Sequence, residues 1–205
     1  MTISYAIPVW NEHHELARLL KQLIKFKRPE DEIVVQCDQG NTIPEVFIVL
    51  SIYDSQIKVI QFPLKGNFAA AKNNLKKHCK GEWIFQIDAD EYLNETFLEN
   101  LPNILQSNPT IDLFLVPRIN TVEGLTQEHI NKWQWRVDEK GWVNFPDYQT
   151  RILQNSPKIS WVGKVHEVLT GHNNYVMLPA QEEYCLLHPK DIIRQERQNA
   201  FYSLL

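Results

Sequence analysis

Four short runs rich in β-branched and aromatic residues, at 3–9, 33–37, 57–62 and 83–87, alternate with stretches of helical periodicity in the first ninety residues. That alternation predicts a parallel sheet with helices on both faces, because a parallel connection needs a crossover and a helix supplies it. Behind the first strand, Leu16, Leu19, Leu20, Leu23 and Ile24 recur on one helical face, with Asn11 as the expected cap. Lys21, Lys25, Lys27 and Arg28 crowd the far end of that helix, where cations suit its dipole. Thr42 and Glu45 read as a capping box for a second helix. Asn67 caps a third through Ala69, Ala70, Ala71 and Leu75, with Gly81 as its expected left-handed terminator.

In such a sheet, ligands bind beyond the carboxyl ends of the strands. Asn11 and Glu12, Asp38, and the run Asp88-Ala89-Asp90 all fall at that edge, so three separate pieces of chain converge on one crevice. Two carboxylates two positions apart in extended chain point the same way and can share one hard divalent cation, which in turn can grip a diphosphate.

The pattern changes after a helix near 95–105 and a strand at 113–116. Residues 118–148 are polar and aromatic without sustained period, and carry Trp133, Trp135 and Trp142. These tryptophans suit either a sugar-stacking platform on an acceptor-side loop or simple packing. Residues 149–153, 159–169 and 175–178 read as strands, and Pro189 is expected to open a final helix through Ile192, Ile193, Ala200, Phe201 and Leu204. With no linker or repeat, residues 1–205 are expected to form one domain, a nucleotide-binding half over 1–117 and an acceptor half with the last helix over 118–205.

The balance of 21 Lys and Arg against 25 Asp and Glu, with pI near 6.0, argues against general nucleic-acid binding, which rewards clustered positive charge. Cys37, Cys79 and Cys185 are far apart and odd in number, which suggests a reducing compartment rather than a disulfide or zinc framework. The opening residues lack the basic start and apolar run of a signal peptide, and the longest apolar stretch, 46–53, is far short of the roughly 20 residues that span a bilayer. The expected location is cytoplasmic, with peripheral contact of the last helix with a membrane or partner left open, as is the oligomeric state.

Ile7-Pro8-Val9-Trp10-Asn11-Glu12, the Asp38 turn, Ala71-Lys72-Asn73 and the run from Trp83 to Glu91 occur in the order of landmarks of family 2 glycosyltransferases with the GT-A fold, which this chain resembles. The resemblance implies an α/β GT-A domain, a mostly parallel Rossmann-like sheet flanked by helices, that transfers a sugar from a nucleotide-diphosphate donor, UDP-linked by expectation, to a glycan or glycolipid acceptor. It implies that Pro8, Glu12 and Asp38 line the nucleoside pocket, that Lys72 approaches base or phosphate, that Asp88 touches ribose or the metal shell, and that Asp90 ligates Mn2+ or Mg2+. One departure is Cys37-Asp38-Gln39-Gly40-Asn41, where relatives often carry Ser-x-Asp.

The second half resembles small bacterial glucosyltransferases of the lipopolysaccharide-core type at Asp147-Tyr148-Gln149-Thr150-Arg151-Ile152, at Val165-His166-Glu167, and at His188 ahead of Arg194, Arg197 and Tyr202. Inverting transfer needs a base for the acceptor hydroxyl, and a carboxylate in a partly dry cleft is suited to that role, with Glu167 the first choice and Asp147 the second. His166 is a candidate to orient Glu167 or to touch the donor phosphate, and His188 to complete the metal shell. Two rivals use the same residues differently. A non-catalytic nucleotide-sugar binding module keeps Asp38 and Asp90 and has no use for Glu167. A metal phosphohydrolase of the haloacid dehalogenase type is disfavoured, because its paired aspartates follow the first strand and these follow the fourth.

Overall fold

The computed structural model describes residues 1–202, with Phe201 and Tyr202 by backbone alone. Strands β1 (Ile3–Val9), β2 (Glu32–Asp38), β3 (Lys58–Phe62) and β4 (Trp83–Gln86) pair in parallel in the order β3-β2-β1-β4, as the alternation predicts. Helices α1 (His13–Phe26), α2 (Pro44–Ile52) and α3 (Phe68–Lys77) are the crossovers. Side chains of β1 alternate between two apolar layers. Tyr5 and Ile7 pack with Leu16, Leu19, Leu20 and Leu23 of α1, while Ala6 packs with Ala69 and Leu75 of α3. Each of those four leucines is fully buried and contributes about 1.5–3 kcal/mol relative to exposure. Pro8 is tolerated in this central strand because the β1–β4 pairing ends at Ala6 and Gln86, so its missing N–H interrupts no ladder.

The remaining elements are β5 (Tyr92–Leu93), α4 (Glu95–Gln106), β6 (Leu113–Glu123), α5 (Gln127–Trp133), β7 (Val143–Gln154), β8 (Ser160–Val162), β9 (Val168–Thr170), β10 (Tyr175–Met177), β11 (Leu186–Asp191) and α6 (Ile192–Tyr202). The described residues form a nine-stranded sheet ordered β3-β2-β1-β4-β7-β6-β11-β5, with β10 also on β6. It is mixed, because β7 runs antiparallel to both β4 and β6. A second, two-stranded sheet pairs β8 with β9.

Several local expectations are corrected. The cap position of α1 is Glu12, not Asn11, and its carboxylate turns back to accept from the N–H groups of Trp10 and Asn11. Pro44 sets the start of α2 one residue later than the Thr42–Glu45 box requires, and the Thr42 hydroxyl donates instead to the Asp38 carbonyl. Asn67 does cap α3, accepting from Ala70 N–H, but the helix ends at Lys77. Gly81 is glycine for closeness: a Cβ there would lie 2.6 Å from the Ser4 nitrogen. The strand expected at 113–116 runs on to Glu123, because Arg118 and Asn120 break its apolar pattern while finding polar partners. The single strand expected at 159–169 is a hairpin, with positive φ at Gly163 and His166 making its turn. Pro189 lies inside β11 opposite Thr121, and α6 begins only at Ile192, where Asp191 Oδ1 accepts from Arg194 N–H. Leu204 and Leu205 lie outside the described residues.

The insertion of β7 buries a charge cluster. Arg151, 3% exposed, donates from one guanidinium nitrogen to Asp88 and, at 2.6 Å, to the fully buried Glu91. Arg118 on β6 adds bonds to Glu91 at 3.0 Å and Asp147 at 2.7 Å. Glu91 Oε2 accepts from Asp88 N–H, which closes the turn after β4. Burial opposes the Arg151 charge, but Asp88 and Glu91 more than offset this and hold the guanidinium firmly protonated.

Two outcomes follow. Gly81→Ala forces backbone apart between α3 and β1 and should lower stability by about 1–3 kcal/mol in urea unfolding with an unchanged slope. Arg151→Met strips Asp88 of its cation and leaves the buried Glu91 with Arg118 alone, and should cost about 3 kcal/mol in the same assay. A loss below about 1 kcal/mol for Arg151→Met would mean that the cluster does not hold the β4 turn.

Candidate active site

The ends of β1, β2 and β4 bring the predicted residues to one edge of the sheet. Pro8 sits opposite Gln36, two residues before the end of β2. Asp38 Oδ1 accepts from Leu64 N–H at 2.8 Å and Oδ2 from Asn41 Nδ2 at 3.0 Å, so this carboxylate ties the β2 turn to the loop that leads into α3. Glu12 stands at the start of α1, its Oε1 3.5 Å from Arg194.

Asp88 and Asp90 are not in extended chain. They occupy a turn closed by Glu91 N–H donating to the Asp88 carbonyl, and their carboxylates diverge. Asp88 turns inward to Arg151; Asp90 turns to the second half of the chain. There Asp90 Oδ2 lies 3.2 Å from His188 Nε2 and 3.2 Å from Arg194. His188 Nδ1 is 2.6 Å from Asn120 Oδ1, which fixes the ring. Burial would raise the Asp90 carboxyl, but His188, with Lys190 and Arg194, holds it well below the usual carboxylate range. Burial likewise works against the Asp88 charge, and Arg151 with Lys72 overcomes it.

Asp90 and His188 are thus the pair able to hold a divalent cation, a carboxylate oxygen and an oriented imidazole nitrogen. Among the described residues no three His, Cys, Asp or Glu side chains gather into a ready-made metal shell. Any cation held at this pair must draw its other ligands from elsewhere, and it competes with Arg194 for the same oxygen.

Lys72 and Glu167 meet although 95 positions separate them. Asn73 is the reason: its side chain donates to the Trp161 carbonyl at 2.8 Å and accepts from Trp161 N–H at 2.9 Å, so the β8–β9 hairpin docks on α3. Phe68 N–H donating to the Lys164 carbonyl pins the hairpin turn. Lys72 then lies 4.2 Å over the Trp161 ring and pairs with the Glu167 carboxylate, both side chains largely buried. His166 is exposed at φ 56° in the same turn and has no partner among the described residues.

Asp147 is fully engaged, accepting from Arg118, Asn120 and Gln149. Burial opposes its charge, yet Arg118 and those hydrogen bonds hold it below the usual range. Trp133 and Trp135 pack at 4.7 Å between ring centroids, and Trp142 packs on Phe145 at 4.8 Å; Trp133, Trp135 and Trp142 are half-buried. Glu91, Arg118 and Asn120 had no role assigned from sequence. The available signal was a charge or amide set within apolar strand residues, as Arg118 is between Val116 and Ile119.

The match to the glycosyl transferase family 2 model covers residues 4–162. Glycosyltransferase GlyG of Streptococcus pneumoniae is 29% identical over 101 residues, 48% of this chain and 33% of that protein. The chain thus spans about a third of this curated relative. The fold is that of S. aureus TarS 1–349, solved in complex with UDP-GlcNAc, with TM-score 0.64, 17% identity, and coverage of 93% of this chain and 59% of that one. The mannosyltransferase PcManGT from Pyrobaculum calidifontis, solved with GDP-Man and Mn2+, matches at TM-score 0.50 and 18% identity over 57% of this chain and 35% of its own. The GT-A sheet, the converging strand ends and a family match over most of its length together mean that the chain belongs to glycosyl transferase family 2.

Proposed function

We propose that the protein is an inverting glycosyltransferase that moves a sugar from a nucleoside-diphosphate donor, UDP-linked by preference, to a hydroxyl of a glycan or glycolipid acceptor, with a divalent cation at Asp90 and His188. The observation that carries this reading is the pairing of Asp90 with His188, 98 positions apart, at the strand edge where α/β sheets bind ligands. The donor-bound state of TarS and the Mn2+ in PcManGT support the choice of donor and cation.

In this reading Pro8, Glu12 and Asp38 border the nucleoside, and Lys72 meets the diphosphate. Bound at Asp90 and His188, Mn2+ or Mg2+ would supply Lewis-acid stabilisation of the charge that builds on the leaving diphosphate. Glu167 accepts the proton of the acceptor hydroxyl as its oxygen bonds to the anomeric carbon and the carbon–oxygen bond to the diphosphate breaks. Lys72 pairs with Glu167 and directs its carboxylate, and His166 flanks it in the turn. Asp147 is the second choice because its oxygens already accept from Arg118, Asn120 and Gln149. Three buried free thiols favour a reducing, cytoplasmic setting, and among the described residues no helix is long and apolar enough to cross a membrane.

Two measurements test this. In calorimetry, Mn2+ should tighten UDP binding by roughly tenfold or more in the native protein and not in Asp90→Asn, which keeps shape and removes charge from the metal pair; equal metal-dependent tightening in both would overturn the metal assignment. Glu167→Gln should keep UDP affinity while turnover falls by roughly a hundredfold or more. If Asp147→Asn alone shows that loss, the base is Asp147, and a product of retained configuration would rule out single displacement.

A further inference from the structure

Behind His188 lies a cavity of about 220 Å³ built from β6, β7, β11, α6 and the segment after α5. None of its lining comes from β1 to β4. It is smaller than the roughly 300–1,000 Å³ of a whole ligand site, so it has room for one sugar-sized unit rather than a chain. Trp135, backed by Trp133, forms an aromatic wall.

Its charged lining is cationic, Lys190 and Arg118. Lys190 Nζ donates to Gln198 Oε1, and among the described residues no carboxylate lies within ion-pair distance of it. That bond fixes the Gln198 amide with its NH2 group unpaired among the described residues. Asn144 Oδ1 accepts from Arg136 N–H, and Asn199 Oδ1 accepts from Gln195 Nε2, so among the described residues both amides likewise keep NH2 groups without a partner. Arg118, also in the wall, is already committed to Asp147 and Glu91. An ammonium with no acid within ion-pair distance and three amide donors open among the described residues suit an occupant rich in acceptor oxygens, and a neutral sugar, whose hydroxyls also donate, satisfies them less well.

We propose that this cavity is an acceptor-side subsite for a sugar unit that carries an anionic group, a phosphate or a carboxylate, with the ring against Trp135 and the anion on Lys190. His188 both lines the cavity and touches Asp90, so the occupant lies one side chain from the expected metal position. The assignment to the acceptor side rests on the glycosyltransferase reading; the anion-binding cavity does not.

The test is calorimetry on the full chain with glucose 6-phosphate, glucuronate, glucose and inorganic phosphate, with chelator present, and each repeated in saturating UDP. Glucose 6-phosphate or glucuronate should bind roughly tenfold or more tighter than glucose and than inorganic phosphate, and whichever of the two binds tighter identifies the anion. Binding should persist in UDP, because the cavity is separate from the donor cleft. Lys190→Gln should reduce the charged sugars to the affinity of glucose, and Trp135→Ala should weaken all three sugars while sparing inorganic phosphate. Equal binding of glucose and glucose 6-phosphate, indifference to Lys190→Gln, or no binding of either charged sugar at millimolar concentration would overturn the proposal. Competition by UDP would overturn the separate subsite and leave donor binding intact, whereas absence of any UDP binding would count against the glycosyltransferase reading alone.

Discussion

A buried guanidinium between two carboxylates sets the geometry on which the rest depends. Arg151 enters the interior on an antiparallel strand, and it is paired there with Asp88 and Glu91. Removing such a pair's cation costs far more than the pair contributes over an apolar substitute, so the arrangement acts as a constraint rather than as a reserve of stability. It makes the turn after β4 adopt one conformation. Asp88 is drawn inward, and Asp90, two residues on, is left to face β11 and α6. Because Arg118 bonds to both Glu91 and Asp147, the same cluster also joins β6 and β7 to the end of β4, and the sheet runs unbroken from the first half of the chain into the second.

Around that turn, groups from the two halves of the chain meet. His188 and Arg194 come to Asp90 from β11 and α6, and Glu167 comes to Lys72 through the Asn73 clamp on Trp161. A diphosphate and a cation entering this cleft would exchange partners with groups already held in place. Arg194 is the side chain with most to change, since it shares Asp90 Oδ2 with His188 and also reaches Glu12 and Glu15.

The parallel half of the fold is legible because β1, β2 and β4 are buried on both faces and α1 carries one apolar stripe, two patterns that differ in period. The edge where Glu12, Asp38 and Asp88 to Asp90 gather followed from that alone. The second half was harder to read for a physical reason: its long strands carry Arg118, Asn120 and Arg151 inward, where each finds a partner, so the expected apolar alternation is absent. His188 is legible as a candidate, yet a strand rather than a helix start positions it, because proline is tolerated both at a helix start and where a strand lacks a partner on one side, as β11 does at Pro189 beyond its pairing with β5. The divergence of Asp88 from Asp90 was beyond local sequence, since it depends on a cation 63 positions away.

The most direct test is a crystal structure of the protein with UDP and Mn2+. The expected result is a metal ion ligated by Asp90 and His188 with the diphosphate completing its shell, Lys72 against the phosphates, and Arg194 displaced from Asp90. A nucleotide bound away from the strand ends, or a metal ion seated without Asp90, would contradict it.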